Sequence, residues 1–201
     1  MPILRILGRF LYQNSHFMIR SARPEDADAV APLLILGMGH IAGIFARSDN
    51  HADAIPFFRE FFLHPANQYS YANTLVFETG AGIIGSINGY DGALLRVLRQ
   101  PVLDKLREAD PTFDPNDETE PGEYYIDCVN VHPDHQGKGI GKKLINALCE
   151  QAGALGHARV GLIVDRVNPA AKRLYEKLNF QVAGEKDFMG HRYFHMVRER
   201  S

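Results

Sequence analysis

Cysteine is scarce in these 201 residues: only Cys128 and Cys149 occur. Both fall inside apolar segments and read as small core residues in a reducing compartment, which excludes a disulfide framework. Excess charge is missing as well, with 22 Lys and Arg against 24 Asp and Glu and a formal net charge of −2. No global basic field therefore recruits nucleic acid or an anionic membrane. No apolar run approaches the ~20 residues that a membrane span needs, and there are no internal repeats. With 45 % hydrophobic and 23 % charged residues, the composition is that of a globular protein able to bury one real core. A cytoplasmic location is the expectation.

The N-terminus, MPILRILGRFLYQNSHF, imitates a signal peptide or a surface-seeking helix poorly. Arg5 and Arg9 interrupt the apolar stretch, and no small-residue cleavage site follows. Residues 1–17 are expected to be an extension, with a domain over 18–201. Phe17–Arg20 reads as a strand, and Arg23-Pro24-Glu25-Asp26 opens a helix with proline and acids in its first turn. That helix runs to Met38 and loosens around Gly37–Gly43. Ala52–Leu63 predicts a second helix, capped by Asp49 or Asn50. Thr74–Glu78 and Ile83–Tyr90 predict a hairpin, and Ala93–Glu108 a helix containing Pro101.

An acidic loop follows, Asp110–Gly122. Then come a strand Tyr124–Val131, a helix to about Leu155, a strand Arg159–Asp165, a helix from Pro169 to near Asn179, and a hairpin around Met189-Gly190. This order predicts an α/β fold with a central mixed, twisted sheet of about six to seven strands flanked by helices.

The densest signal is HPDHQGKGIGKKLI, His132–Ile145. So much bare backbone before a helix suits the close approach of an anion, with helix N-terminal donors and Lys138, Lys142 and Lys143 adding positive charge. The P-loop pattern fails here, because neither lysine of Lys142-Lys143 precedes Ser or Thr. The dinucleotide fingerprint fails too, since Gly137-Lys138-Gly139-Ile140-Gly141 is followed by lysine. A glycine-rich turn without a ligand and an anion cradle both remain open on spacing alone. His132 and His135, with Pro133 between them and no third ligand near, read as solvated side chains and not as a metal site.

Two stretches together resemble the GNAT superfamily of N-acetyltransferases. VNVHPDHQGKGIGKKLI is similar to its acetyl-CoA signature, a strand followed by Gln-x-x-Gly-x-Gly. VDRVNPAAKRLYEKLNF is similar to its second signature, except that Asn179 stands where glycine is usual. Asparagine is the next best residue for a left-handed helix terminus. The resemblance covers roughly Met18–Val197 and implies two parallel strands splayed around the cofactor, acetyl-CoA acting as co-substrate.

It also implies site residues. Val129, Asn130 and Val131 would offer a strand edge to the pantetheine arm. The backbone of Gln136, Gly137, Gly139, Ile140, Gly141 and Lys142, with the charge of Lys138, would hold the pyrophosphate. Asn168 caps a helix and would also touch the pantetheine arm. Tyr175, which spacing alone would assign to the core, would protonate the departing thiolate. Asp127 is either a structural carboxylate or the base, acting through a water, with Glu123 in reserve; no covalent intermediate is required.

The implied activity is direct acetyl transfer in a ternary complex to a primary amine of a small molecule. A protein or peptide acetyltransferase and a non-catalytic acyl-CoA-binding module are the alternatives. The residues before the strand at 124 are a candidate lid or specificity element, and their acids could attract a cationic amine or simply be solvated. Phe45, Phe57, Phe58, Tyr90 and Tyr125 could shape a pocket or belong to the core. The final hairpin offers edges on which two copies could pair as a homodimer.

Overall fold

The computed structural model describes residues 12–14 and 17–200; the remainder of the N-terminal extension and Ser201 lie outside the described residues. Its chain forms two compact units. One comprises the residues up to Asn88 together with Cys128–Leu148, the other Gly89–Asp127 together with the residues from Cys149 on.

In the first unit, β1 (Tyr12–Asn14), β2 (Phe17–Ser21), β3 (Thr74–Thr79) and β4 (Gly82–Asp91, which continues into the second unit) pair antiparallel in that order. Domain-like structure thus includes Phe17, and three residues of the expected extension pair with β2. Strand β5 (Tyr124–Val131) ends beside β4, where the His132 N–H donates to the Ile84 carbonyl over 2.9 Å. Helix α1 (Ala27–Met38) buries Val30, Leu33, Leu34 and Met38, close to helical spacing. The loosening expected near Gly37 is a clean break: Gly39, at φ 54° and ψ −129°, starts a separate helix α2 (His40–Ala46). Gly37 is fixed by packing, since a Cβ there would collide with Oδ1 of the buried Asn130.

Helix α3 (Ile55–Leu63) follows a short turn capped by Asn50, not by Asp49, through the Ala52 N–H. It supplies Phe57, Phe58 and Phe61 to an aromatic cluster. The Phe45 ring lies tilted 5.2 Å from Phe57 and 5.1 Å from Phe58, and Phe58 lies 5.0 Å from Tyr69. These rings are core, which decides that sequence alternative for Phe45 and Phe58.

In the second unit, β5 starts parallel to β6 (Arg159–Asp165), which pairs antiparallel with β8 (His191–Glu199), and β8 pairs with β7 (Gln181–Phe188). The β7–β8 turn, Met189-Gly190, has φ 48° and 80°, the double positive φ that matches strand twist in a two-residue hairpin. Mixed pairing and interleaved helices make this an α/β protein. Among the described residues seven strands have five or more residues, and β1 adds a three-residue eighth. No helix among them is long and apolar enough to cross a membrane.

The segment before β5, the candidate lid or specificity element, is braced by ion pairs. Helix α4 (Leu95–Arg107) carries Arg99, buried against Glu118, while Arg96 pairs with Asp117 and Arg107 with Asp114, each at 2.9 Å. Lys186 reaches Glu120 at 2.6 Å, and this bond holds the Glu120 carboxyl below its usual range. The base of the segment is closed by the Gly92 N–H donating to the Glu123 carbonyl at 2.8 Å and by Thr119 Oγ1 donating to the Gly92 carbonyl at 2.9 Å. Asp114, Asp117, Glu118 and Glu120 are thus committed to cations of the same unit.

The sheet of the first unit is tied to α1 by a buried ion pair. Arg20 on β2 donates to both oxygens of Asp26, at 2.7 and 2.9 Å, and to Glu78 at 2.7 Å. Burial pushes the Asp26 carboxyl up, but the Arg20 hydrogen bond, the Arg23 N–H and their charges outweigh it, and the net direction is down. A lowered folded value means stabilisation that is present above the unfolded value and is lost as pH falls through the folded one. Asp26→Asn should therefore cost about 3 kcal/mol at neutral pH, as breaking a buried pair does. Urea unfolding should show that penalty shrinking below about pH 4; a penalty that is constant or grows toward acid would contradict the ion pair.

Candidate active site

Strand β5 begins at a carboxylate with no exposure. Glu123 is 0 % exposed; one oxygen accepts from the Glu120 N–H at 2.8 Å and the other lies 2.9 Å from His195 Nε2. It occupies the space over Gly161 of β6, where any Cβ would run into it. Sequence reasoning held Glu123 as a reserve base. With both oxygens bonded and no exposure it anchors the start of β5.

From this anchor β5 pairs with β6 in the register Tyr124↔Val160 to Ile126↔Leu162. The strand continues past that register for five residues, Asp127–Val131. Alternation gives these residues two faces: Asp127, Val129 and Val131 are half-buried, Cys128 and Asn130 buried. The Asp127 carboxylate accepts a 2.8 Å hydrogen bond from the hydroxyl of Tyr90, at the end of β4. Sequence reasoning missed that donor, having treated Tyr90 as a ring only.

The Asn130 carbonyl and the His132 N–H both face β4. By alternation the N–H and C=O groups of Val129 and Val131 point to the opposite edge. Asn130 was expected to contribute to the edge offered to a cofactor, and it does not. Its side chain is turned inward, 3.3 Å from Ser86 Oγ and 3.5 Å from Cys128 Sγ.

Beyond the strand, the Gln136 N–H closes a turn on the Pro133 carbonyl, and its side chain donates to the Val131 carbonyl at 3.1 Å. Gln136 thus braces the loop, and its own amide is not the free donor that was expected. Lys138 Nζ donates to the Asp134 carbonyl at 2.9 Å, and Lys143 sits over the Phe17 ring at 4.1 Å. Gly137 and Gly139 have φ 72° and 75°, where L side chains are strained, yet a Cβ on either would meet no protein atom within 4 Å. The protein's own packing does not require glycine at these two positions. Helix α5 (Ile140–Ala154) follows, its first bond running from the Lys143 N–H to the Gly139 carbonyl. The N–H groups of Ile140, Gly141 and Lys142 have no acceptor within the helix. Glycine freedom, helix donors and lysine charge together fit a pyrophosphate. Among the described residues no group of three or more His, Cys, Asp or Glu side chains is placed to hold a metal ion.

In the second unit, β6 leads into α6 (Pro169–Glu176) through a turn fixed by Asp165, which accepts from the Val167 N–H at 3.0 Å and meets His191 at 2.7 Å. Asn168 caps α6, its Oδ1 accepting from the Ala171 N–H at 3.0 Å. The cap is therefore real and leaves Nδ2 as the group able to donate elsewhere. The helix ends earlier than expected, in a left-handed terminus at Asn179 (φ 67°). The Phe180 N–H bonds the Tyr175 carbonyl and the Asn179 N–H the Glu176 carbonyl. This is the Schellman pattern, completed by the Phe180 ring 6.0 Å from that of Tyr175. Tyr175 is thus held by backbone and ring while remaining half-buried.

The sequence pattern of the Acetyltransferase (GNAT) family matches residues 40–180. The chain belongs to that family. A solved structure described as an acetyltransferase superposes with TM-score 0.75 and 30 % identity, over 91 % of this chain and 99 % of that one. The probable spermine N(1)-acetyltransferase of Bacillus subtilis subsp. natto is 34 % identical over 90 residues, covering 44 % of this chain and 57 % of the relative. The L-amino acid N-acyltransferase MnaT of Escherichia coli is 35 % identical over 65 residues, covering 32 % and 38 %. The chain spans about half the length of the curated relatives it matches.

The buried anchor makes a direct prediction. Gly161→Ala should destabilise the protein by about 2 kcal/mol, the scale of overpacking, read from the urea midpoint. Unchanged stability would mean that the Glu123 carboxylate does not occupy that space.

Proposed function

We propose that the protein is an acetyl-CoA-dependent N-acetyltransferase that passes the acetyl group directly to a primary amine of a small molecule, in a ternary complex. The observation that carries the reading is the left-handed pair Gly137 and Gly139 directly ahead of α5, with open space where their side chains would stand and the first N–H groups of the helix beyond them. The pyrophosphate of the co-substrate would rest on the N–H groups of Gly137, Gly139, Ile140, Gly141 and Lys142 and on the Lys142 ammonium. Gln136 and Lys138 shape the loop from behind. Val129 and Val131 offer their outward backbone groups to the pantetheine amides, as an added strand would receive them, and the Asn168 Nδ2 group is a further donor.

In the reaction, the Asp127 carboxylate takes up or relays the proton that the amine must lose, through a water. The Val129 N–H stabilises charge developing on the acetyl oxygen. Tyr175 protonates the leaving sulfur, since a free phenol (reference pKa ~10) can donate to an adjacent desolvated thiolate (reference pKa ~8.5). The curated relatives are named for amines as different as spermine and L-amino acids. Since the acids at 114–120 are braced by Arg96, Arg99, Arg107 and Lys186, acceptor recognition rests on groups around Asp127 and not on an acidic surface. A reducing, cytoplasmic setting suits Cys128 and Cys149, both free thiols.

Calorimetric titration with acetyl-CoA and with CoA tests this reading. Gly139→Asn is the informative variant, because asparagine tolerates the left-handed backbone while placing a Cβ where the phosphate would lie. Its melting temperature should stay near wild type while acetyl-CoA affinity drops at least about tenfold, a loss of about 1.4 kcal/mol. Tyr175→Phe should bind acetyl-CoA as wild type does and lose about a hundredfold in thiol release with an amine panel. A wild-type protein that binds neither compound sinks the reading.

A further inference from the structure

We propose that Tyr90 is a positioning residue for acetyl transfer: its hydroxyl fixes the Asp127 carboxylate as a hydrogen-bond acceptor in one orientation. This rests on the function proposed above and assigns a task to a side chain that neither family signature contains.

Tyr90 is 2 % exposed, and a buried phenol needs a partner for its proton. Its hydroxyl lies 2.8 Å from Asp127 Oδ2, the usual length of an O–H···O hydrogen bond. The ring cannot swing away. It is packed with Leu95 and Tyr125 in a buried cluster, with Leu98 and Ile163 against it, and the Tyr125 ring centre is 5.9 Å off. The backbone on either side is held as well. The Tyr124 hydroxyl donates to the Gly89 carbonyl at 2.9 Å, and the Gly92 N–H donates to the Glu123 carbonyl at 2.8 Å. Phenylalanine would satisfy this apolar cluster equally well, so the hydroxyl is the part of Tyr90 that packing does not explain.

At neutral pH the shared proton belongs to the phenol, because a carboxylic acid is the stronger acid by about six pK units. Tyr90 therefore donates and Asp127 accepts. One Asp127 oxygen is oriented by the protein, and the carboxylate is kept from rotating about its last bond. Such a group suits an amine or its relay water, whose reach depends on a fixed acceptor.

A double-mutant cycle of Tyr90→Phe and Asp127→Asn tests the assignment. Acetyl-CoA affinity should be unchanged in all four proteins. Tyr90→Phe should lower kcat/KM for the amine about tenfold, the scale of one hydrogen bond to a charged group. In the Asp127→Asn background the same change should have no further effect, because Tyr90 acts through Asp127. Additive losses, or a wild-type kcat/KM in Tyr90→Phe, overturn the proposal. A readout independent of activity is the 13C resonance of the Asp127 carboxyl, assigned by its disappearance in Asp127→Asn. Tyr90→Phe should move it, and an unmoved resonance also overturns the proposal. A resonance that moves in a protein that binds acetyl-CoA but transfers to no amine overturns the acetyl-transfer reading, and with it this role, while leaving the hydrogen bond itself intact.

Discussion

The geometry of the site depends on one buried carboxylate. A buried carboxyl group is tolerated only when its oxygens have hydrogen-bond partners, and Glu123 meets that condition through the Glu120 N–H and His195. Gly161 provides the room. These contacts set where β5 starts and which residue of β6 it opposes. A slip by one residue would exchange the two faces of the strand, burying Asp127 and Val129 and turning Cys128 and Asn130 outward. The register of β5 is thus a precondition for every role assigned along it.

Positive backbone dihedrals are used in two different ways. At Asn179 and Met189 a residue with a side chain accepts the left-handed region because local hydrogen bonding or hairpin twist repays the strain. At Gly137 and Gly139 the residue is glycine and a side chain would stand in open space. The first usage serves the fold: the Asn179 terminus also fixes the ring of Tyr175 through Phe180. The second is the mark expected of a surface shaped for something else's oxygens.

Charge is spent largely on bracing. The acidic run between α4 and β5 looked able to attract a cation, yet Asp114, Asp117, Glu118 and Glu120 each meet an arginine or lysine of their own unit. The same holds for Arg20, Asp26 and Glu78 in the first unit. Asp127 is half-buried on β5 and accepts a hydrogen bond from the uncharged hydroxyl of Tyr90.

The sequence by itself determined whatever is governed by neighbours a few positions apart. Strand alternation in β5, the Asn168 cap, the helix start after Gly139 and the left-handed stop at Asn179 all follow from local dihedral preferences and short-range hydrogen bonds. Together with the two signatures they made the fold class and the glycine loop legible. Tertiary structure decided the rest, because it joins residues whose separation carries no periodic signal. The Tyr90–Asp127 bond spans 37 positions and the Glu123–His195 contact 72. Pairings of that range hold Glu123 at the start of β5, turn the Asn130 side chain toward Ser86, and tie the segment before β5 to its own unit. A side chain's type limits what it can do, and the partner brought to it by folding decides which of those things it does.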